Sequence, residues 1–174
     1  MKKVLLVLSS QTRSDEAVDF AVKRAKEEKA MLVALYLLEA GAANEAFDTF
    51  SDIGFIGDKP SAQVSEALMK EMRQRGYEEL GRVQIKAMEE GVAFEPLLED
   101  GEPVSVALSA IESMGITTAV LVKRKRRAFF KYFSSTYADE IAGKAPCEVL
   151  IFTDSQEPTK EERKDVKGVD RGRT

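Results

Sequence analysis

Thr118-Ala119-Val120-Leu121-Val122 runs directly into Lys123-Arg124-Lys125-Arg126-Arg127-Ala128-Phe129-Phe130-Lys131-Tyr132-Phe133. A short, unbroken apolar run of this kind reads as a strand buried on both faces, as parallel sheets require. The basic and aromatic segment after it reads as a loop feeding a helix that begins near Ser134. In an open α/β sheet, strand-to-helix loops at the carboxyl ends of the strands are where anionic ligands bind. This loop has no glycine and opens with five consecutive basic side chains, Lys123, Arg124, Lys125, Arg126 and Arg127.

The same alternation extends outward in both directions. Val4 to Leu8 and Met31 to Leu38 read as buried strands. Between them, Thr12 or Ser14 is positioned to cap a helix whose apolar positions Ala17, Phe20, Ala21 and Ala25 recur at helical spacing. A long amphipathic helix is expected from Asp58 to about Glu90, with Pro60 in its first turn. Its inward stripe is expected to include Val64, Leu68, Met72, Leu80, Val83, Ile85 and Met88. Val92 to Leu98 reads as a third strand, and Pro96 suggests an edge or an irregularity. Helix Glu102 to Ser113, strand Ile116 to Val122, helix Ser134 to Ala142 and strand Glu148 to Thr153 complete the pattern. Strict β-α alternation implies α/β class: an open five-stranded parallel sheet in a single domain, with right-handed crossovers and helices on both faces. That domain is expected to span residues 1–154. The segment Gly41 to Gly57, with Phe47, Phe50, Phe55 and Ile56, is expected either to pack as a connecting loop or to fold over the sheet as a lid. Residues 155–174 mix both charge signs without aromatic residues and are expected to be disordered.

Composition narrows the function classes. The chain has 174 residues, 44% of them hydrophobic, with 30 acidic against 26 basic side chains. This mildly acidic balance argues against specific nucleic-acid binding and makes the local basic cluster conspicuous. With no histidine, a histidine general base, a Ser-His-Asp triad and a histidine metal site are excluded. Cys147 is the only cysteine, so no intramolecular disulfide forms, and its place between Pro146 and a buried strand suits a packed thiol better than a nucleophile. Glu95, Glu99, Asp100 and Glu102 are an acidic cluster, yet Asp100-Gly101-Glu102-Pro103 reads as a turn into a helix, not a metal loop. Gly57-Asp58-Lys59-Pro60-Ser61 lacks the Gly-x-x-x-x-Gly-Lys pattern of a phosphate loop. The apolar run after Met1 is too short for a secretory leader and no run approaches a membrane span, so a cytoplasmic location is expected. No catalytic role and no metal are expected.

The sequence resembles the universal stress proteins. The resemblance is carried by Lys3-Val4-Leu5-Leu6-Val7-Leu8, Ala34-Leu35-Tyr36-Leu37, Gly54-Phe55-Ile56-Gly57-Asp58-Lys59-Pro60-Ser61 and the closing Ala145-Pro146-Cys147-Glu148-Val149-Leu150-Ile151-Phe152, and covers about residues 2–154. It implies an adenine-nucleotide alpha-hydrolase-like fold, a role in stress adaptation, and homodimerisation through the last strand, Glu148 to Thr153. Part of that family binds ATP through Gly-x-x-Gly, nine residues, then Gly-Ser or Gly-Thr. Counting back from Ala145-Pro146-Cys147 sets those positions on Val122, Lys125, Ser135 and Thr136, of which only Thr136 keeps the expected chemistry. The family's adenine-side aspartate falls on Ser9. Glycines in such a motif let backbone N–H groups approach phosphate and take positive φ, which a β-branched residue does not do. The resemblance therefore implies a lost or altered ATP site, and no cofactor is expected.

The basic loop keeps other uses. Lys123 to Arg127 attract anions by charge alone, and Ser134, Ser135 and Thr136 offer hydroxyls at a helix N-terminus, where capping is their bland role. The expected reading is docking of an anionic partner, protein among the candidates. Two alternatives stand beside it. One is an adenine-nucleotide sensor that still binds ATP. The other is peripheral membrane association through Phe129, Phe130 and Phe133 with the flanking cations.

Overall fold

The computed structural model of the chain describes residues 1–38, 62–124 and 137–154. Five strands, β1 (Lys3–Ser9), β2 (Met31–Leu38), β3 (Phe94–Asp100), β4 (Thr118–Lys123) and β5 (Glu148–Thr153), form one sheet in the order β3-β2-β1-β4-β5. Every pairing is parallel. The helices are α1 (Asp15–Glu28), α2 (Ala62–Glu89), α3 (Pro103–Met114) and α4 (Tyr137–Lys144). Helices α1 and α2 cover one face and α3 and α4 the other, which gives two cores, one on each side of the sheet.

Alternation along the central strands explains that division. Val4, Leu6 and Leu8 enter the core under α1 and α2, while Leu5 and Val7 enter the one under α3 and α4. A strand flanked by helices on both faces has no solvated side, so it must be apolar at every position. Strand β1 therefore reads as one unbroken hydrophobic run, and Val4, Leu5 and Leu6 are wholly buried.

The helix boundaries follow their caps. Ser14, not Thr12, caps α1, its Oγ accepting from the Ala17 N–H at 3.1 Å. Lys29 closes α1 in the left-handed region at φ 52°, and Ala30 N–H donates to the Ala25 carbonyl at 2.8 Å. Glu102 caps α3, its carboxylate accepting from the Val104 and Ser105 N–H groups at 3.0 and 2.8 Å, with Pro103 in the first turn. The Asp100–Pro103 stretch is therefore the expected turn into a helix.

Two expectations need correction. Strand β3 begins at Phe94, not Val92, because Val92 finishes α2: Gly91 takes φ 69° and Val92 N–H donates to the Ala87 carbonyl at 2.8 Å. The inward stripe of α2 is also different. Leu80 and Val83 are buried as expected, but Val64, Ile85 and Met88 are exposed (40, 59 and 67% accessible), and Gly76 and Ala87 are buried in addition. Small residues at Gly76 and Ala87 let the helix lie close to the sheet. A Cβ on Gly76 would stand 2.6 Å from Leu98 Cδ1 and 2.8 Å from Tyr36 Cδ1. Asp58, Pro60, the Gly41 to Gly57 segment, the helix start near Ser134 and residues 155–174 lie outside the described residues.

Candidate functional site

Strand order reverses between β1 and β4, the place where doubly wound sheets bind ligands. Here the sheet opens. The β1–β2 ladder continues to Ser9↔Leu37 and the β4–β5 ladder to Lys123↔Thr153. The β1–β4 ladder runs from Val4↔Thr118 only to Leu6↔Val120. The carboxyl ends of the two central strands therefore part, with Ser9 on one lip and Lys123 followed by exposed Arg124 on the other.

The loop from β1 to α1 is folded tightly over its own hydroxyls. Ser9 Oγ and Thr12 Oγ1 share a hydrogen bond of 3.2 Å, and Gln11 N–H donates to Ser9 Oγ at 3.3 Å. Ser9, Thr12 and Ser14 are all buried, a polar set that is tolerable only because each hydroxyl has a partner. From the far side of β4, Asp154 reaches this loop: Arg13 N–H donates to Asp154 Oδ1 at 3.2 Å, while Asp154 N–H donates to the Lys123 carbonyl at 2.8 Å.

Beside the loop is a cleft of about 330 Å³, whose lining includes Ser9, Thr12, Arg13, Tyr36, Arg75 and Arg82. Arg82 of that wall is ion-paired. Arg82 Nη1 lies 3.1 Å from Glu79 Oε2, and Arg82 Nη2 lies 4.0 Å from Asp15 Oδ1 at the start of α1. A larger hollow of about 860 Å³ runs along α2, but its described lining, Ser65 to Glu78, comes from that helix alone.

Of the residues singled out in the sequence, Ser9 lies on one side of the switch point and Lys123 and Arg124 on the other. Lys125, Arg126, Arg127, Ser135 and Thr136 lie outside the described residues. Val122, at the first motif glycine's position, is an interior residue of β4, 2% accessible, paired with Phe152 and part of the core under α1. Cys147 is half-buried and packs against the opposite core, where desolvation pushes its thiol pKa up, away from the thiolate a nucleophile needs. Sequence reasoning missed Asp154, Arg75 and Arg82. Asp154 gave no local signal, because its partner is 141 positions away. The arginines belong to the Arg75, Glu78, Glu79, Arg82 stripe of α2, which in sequence looks like any solvated helix face.

A doubly wound parallel α/β protein with an opened switch point between its central strands is the class defined by these features. The universal stress protein family model matches residues 1–153. The chain belongs to the universal stress protein family. It is 27% identical over 149 residues to universal stress protein YxiE of Bacillus subtilis (strain 168), covering 86% of this chain and 97% of that protein. Solved structures share the fold. Universal stress protein UspA from Lactobacillus plantarum superposes with a TM-score of 0.64 at 16% identity, over 87% of this chain and 97% of that one. The universal stress protein from Archaeoglobus fulgidus in complex with dAMP superposes with a TM-score of 0.51 at 16% identity, over 87% and 97%.

Proposed function

We propose that this protein is a non-catalytic stress-response protein, homodimeric through β5, whose adenine-nucleotide site is lost or altered and whose basic loop after β4 docks an anionic partner. The observation that carries this reading is Val122. At the position where the ATP-binding pattern has its first phosphate glycine, a branched side chain is packed into the core and held in the β4–β5 ladder. Moving that backbone towards a phosphate would withdraw a buried valine, and a positive φ there would cost on the order of 1–2 kcal/mol. Ser9 adds to this: a hydroxyl already engaged with Thr12 and Gln11 stands where the pattern has a carboxylate. Docking by charge needs no such backbone geometry. Lys123 and Arg124 sit on the lip of the opened sheet, and three more cations follow in sequence. An acidic protein surface suits this local cluster of cations.

A second reading is an adenine-nucleotide sensor. It is favoured by the parted β1 and β4 ends, by the adjoining cleft, and by the dAMP-bound relative. Calorimetry with ATP and Mg²⁺ separates the two. The proposed function expects no saturable binding in the micromolar range. Micromolar binding that collapses in a Thr136→Ala, Lys125→Ala double variant overturns it in favour of the sensor.

A further inference from the structure

Helix α2 is buried along only half of its length. Its carboxyl-terminal half sits on the sheet through Gly76, Leu80, Val83 and Ala87, all buried. None of residues 63–75 is buried, although Val64, Leu68 and Met72 continue the same i, i+4 row past Gly76 and Met69 lies beside them. Gly76 lies against Tyr36 and Leu98, close to the carboxyl ends of β2 and β3, so the turns before it lead past the end of the sheet. A hollow of about 860 Å³ follows this half, with Met69, Arg73 and Tyr77 in its lining. A helical stretch of this length holds poorly in water unless an apolar face is packed. The row from Val64 to Met72 therefore calls for a cover.

The chain itself supplies one. Residues 39–61 join Leu38, the last residue of β2, to Ala62, the first of α2. From Gly76 back to Ala62 the helix rises about 21 Å, a distance that about seven extended residues span. The connection has 23 residues, so most of its length is spare. It carries Phe47, Phe50, Ile53, Phe55 and Ile56, and five acidic residues against the single cation Lys59. Residues 62–75 have the opposite balance, with Lys70, Arg73 and Arg75 against Glu66 and Glu71. Arg75 is paired with Glu71 at 2.7 Å, whereas Lys70 and Arg73 are exposed and have no ion pair among the described residues. We propose that residues 39–61 dock back onto the amino-terminal half of α2. Their aromatic and aliphatic side chains meet the Val64, Leu68, Met69 and Met72 row, and their acidic side chains face Lys70 and Arg73. This half of α2 is then a docking surface taken in cis, not by a second copy or another protein.

The test follows chymotrypsin cleavage after Phe47, Phe50 and Phe55, mapped by mass spectrometry, together with hydrogen exchange of the amides of residues 63–75. It compares the full chain with Leu68→Asp, a Lys70→Glu, Arg73→Glu double variant, and Met88→Asp at the exposed far end of the same helix. In the unmodified chain the three sites should be cut slowly and the helix amides protected. Leu68→Asp and the double variant should each speed cleavage about tenfold, because cleavage tracks the population of the open form. Both should also deprotect the amides of residues 63–75. Met88→Asp should match the unmodified chain. Equal cleavage rates in all four proteins overturn the inference, as does rapid exchange of residues 63–75 in the unmodified chain. An effect of Met88→Asp as large as that of Leu68→Asp also overturns it. Protection that grows with protein concentration does the same, since a second copy would then be the cover. The double variant alters exposed side chains alone, so it carries the test if Leu68→Asp does not fold.

Discussion

The two edges of the sheet are built to opposite specifications. Strand β3 ends one side with Pro96 in its middle and Glu95, Glu99 and Asp100 around it. Strand β5 ends the other with Val149, Leu150, Ile151 and Phe152, uncharged and only half-buried, between Glu148 and Thr153. An exposed edge strand is a template for further pairing, and proline and charge are how proteins blunt one. One edge is thus sealed by its own residues, while the other, among the described residues, has no further strand paired to it and an apolar face. That asymmetry is what a protein needs to join one copy of itself and no more, and it supports β5 as the proposed dimer surface.

The sharpest way to break this comparison is to charge both edges. Leu150→Lys should convert dimer to monomer in sedimentation velocity, raising the dissociation constant at least about hundredfold, because opposed like charges in an interface cost several kcal/mol. Glu99→Lys on β3 should leave the mass unchanged. A monomer at every concentration of the unmodified chain, or dissociation by Glu99→Lys, removes β5 as the interface.

A smaller effect tests how β3 is held from behind. Gly76→Ala forces a Cβ against Tyr36 and Leu98, overpacking that costs about 1–3 kcal/mol against a helix-propensity gain of about 0.5–1. A net loss of about 1 kcal/mol in urea unfolding is expected. Gly81→Ala, in the same helix with nothing within 4 Å of the added methyl, should stabilise by up to about 1 kcal/mol. Equal shifts in one direction would show that α2 does not pack as described.

The smallest effect lies in the turn leaving β3. The Ser105 side chain, together with the Ser105 and Val104 N–H groups, holds the Glu102 carboxyl below the ordinary carboxylate range. A group whose folded pKa is depressed stabilises fully above its unfolded value, about 4.3 for glutamate, and loses that contribution as pH falls through the folded value. Thermal unfolding between pH 3 and 7 should therefore fall more steeply on the acid side for the unmodified chain than for Glu102→Gln, which caps without titrating. Parallel profiles would contradict this.

What the sequence revealed depended on whether burial left a trace in residue type. Strands β1, β2, β4 and β5 were readable because residues packed on both faces must be apolar, and β2 and β5 were bounded to the residue. The limits of β3 were misjudged because an edge strand tolerates Glu99 and Asp100 inside it, while apolar Val92 serves a helix end. The stripe of α2 was misread for a related reason. Close packing selects Gly76 and Ala87, which no hydrophobicity pattern ranks highly, and leaves Ile85 and Met88 outside. At the site, Ser9 and Lys123 were legible from their place at strand ends. Asp154 was not, since a bond across 141 positions exists only once the sheet has formed.

The early parting of β1 and β4 also bears on motion. In most sheets the central strands hold the slowest-exchanging amides and the margins fray first. Here the amides of Val7 to Ser9 and Leu121 to Lys123 that face the gap lie beyond the last pair of their shared ladder, at the midline of the domain. Hydrogen–deuterium exchange should find a fast patch there, flanked on both sides by slow ladders. The middle of the sheet would then yield before its rims.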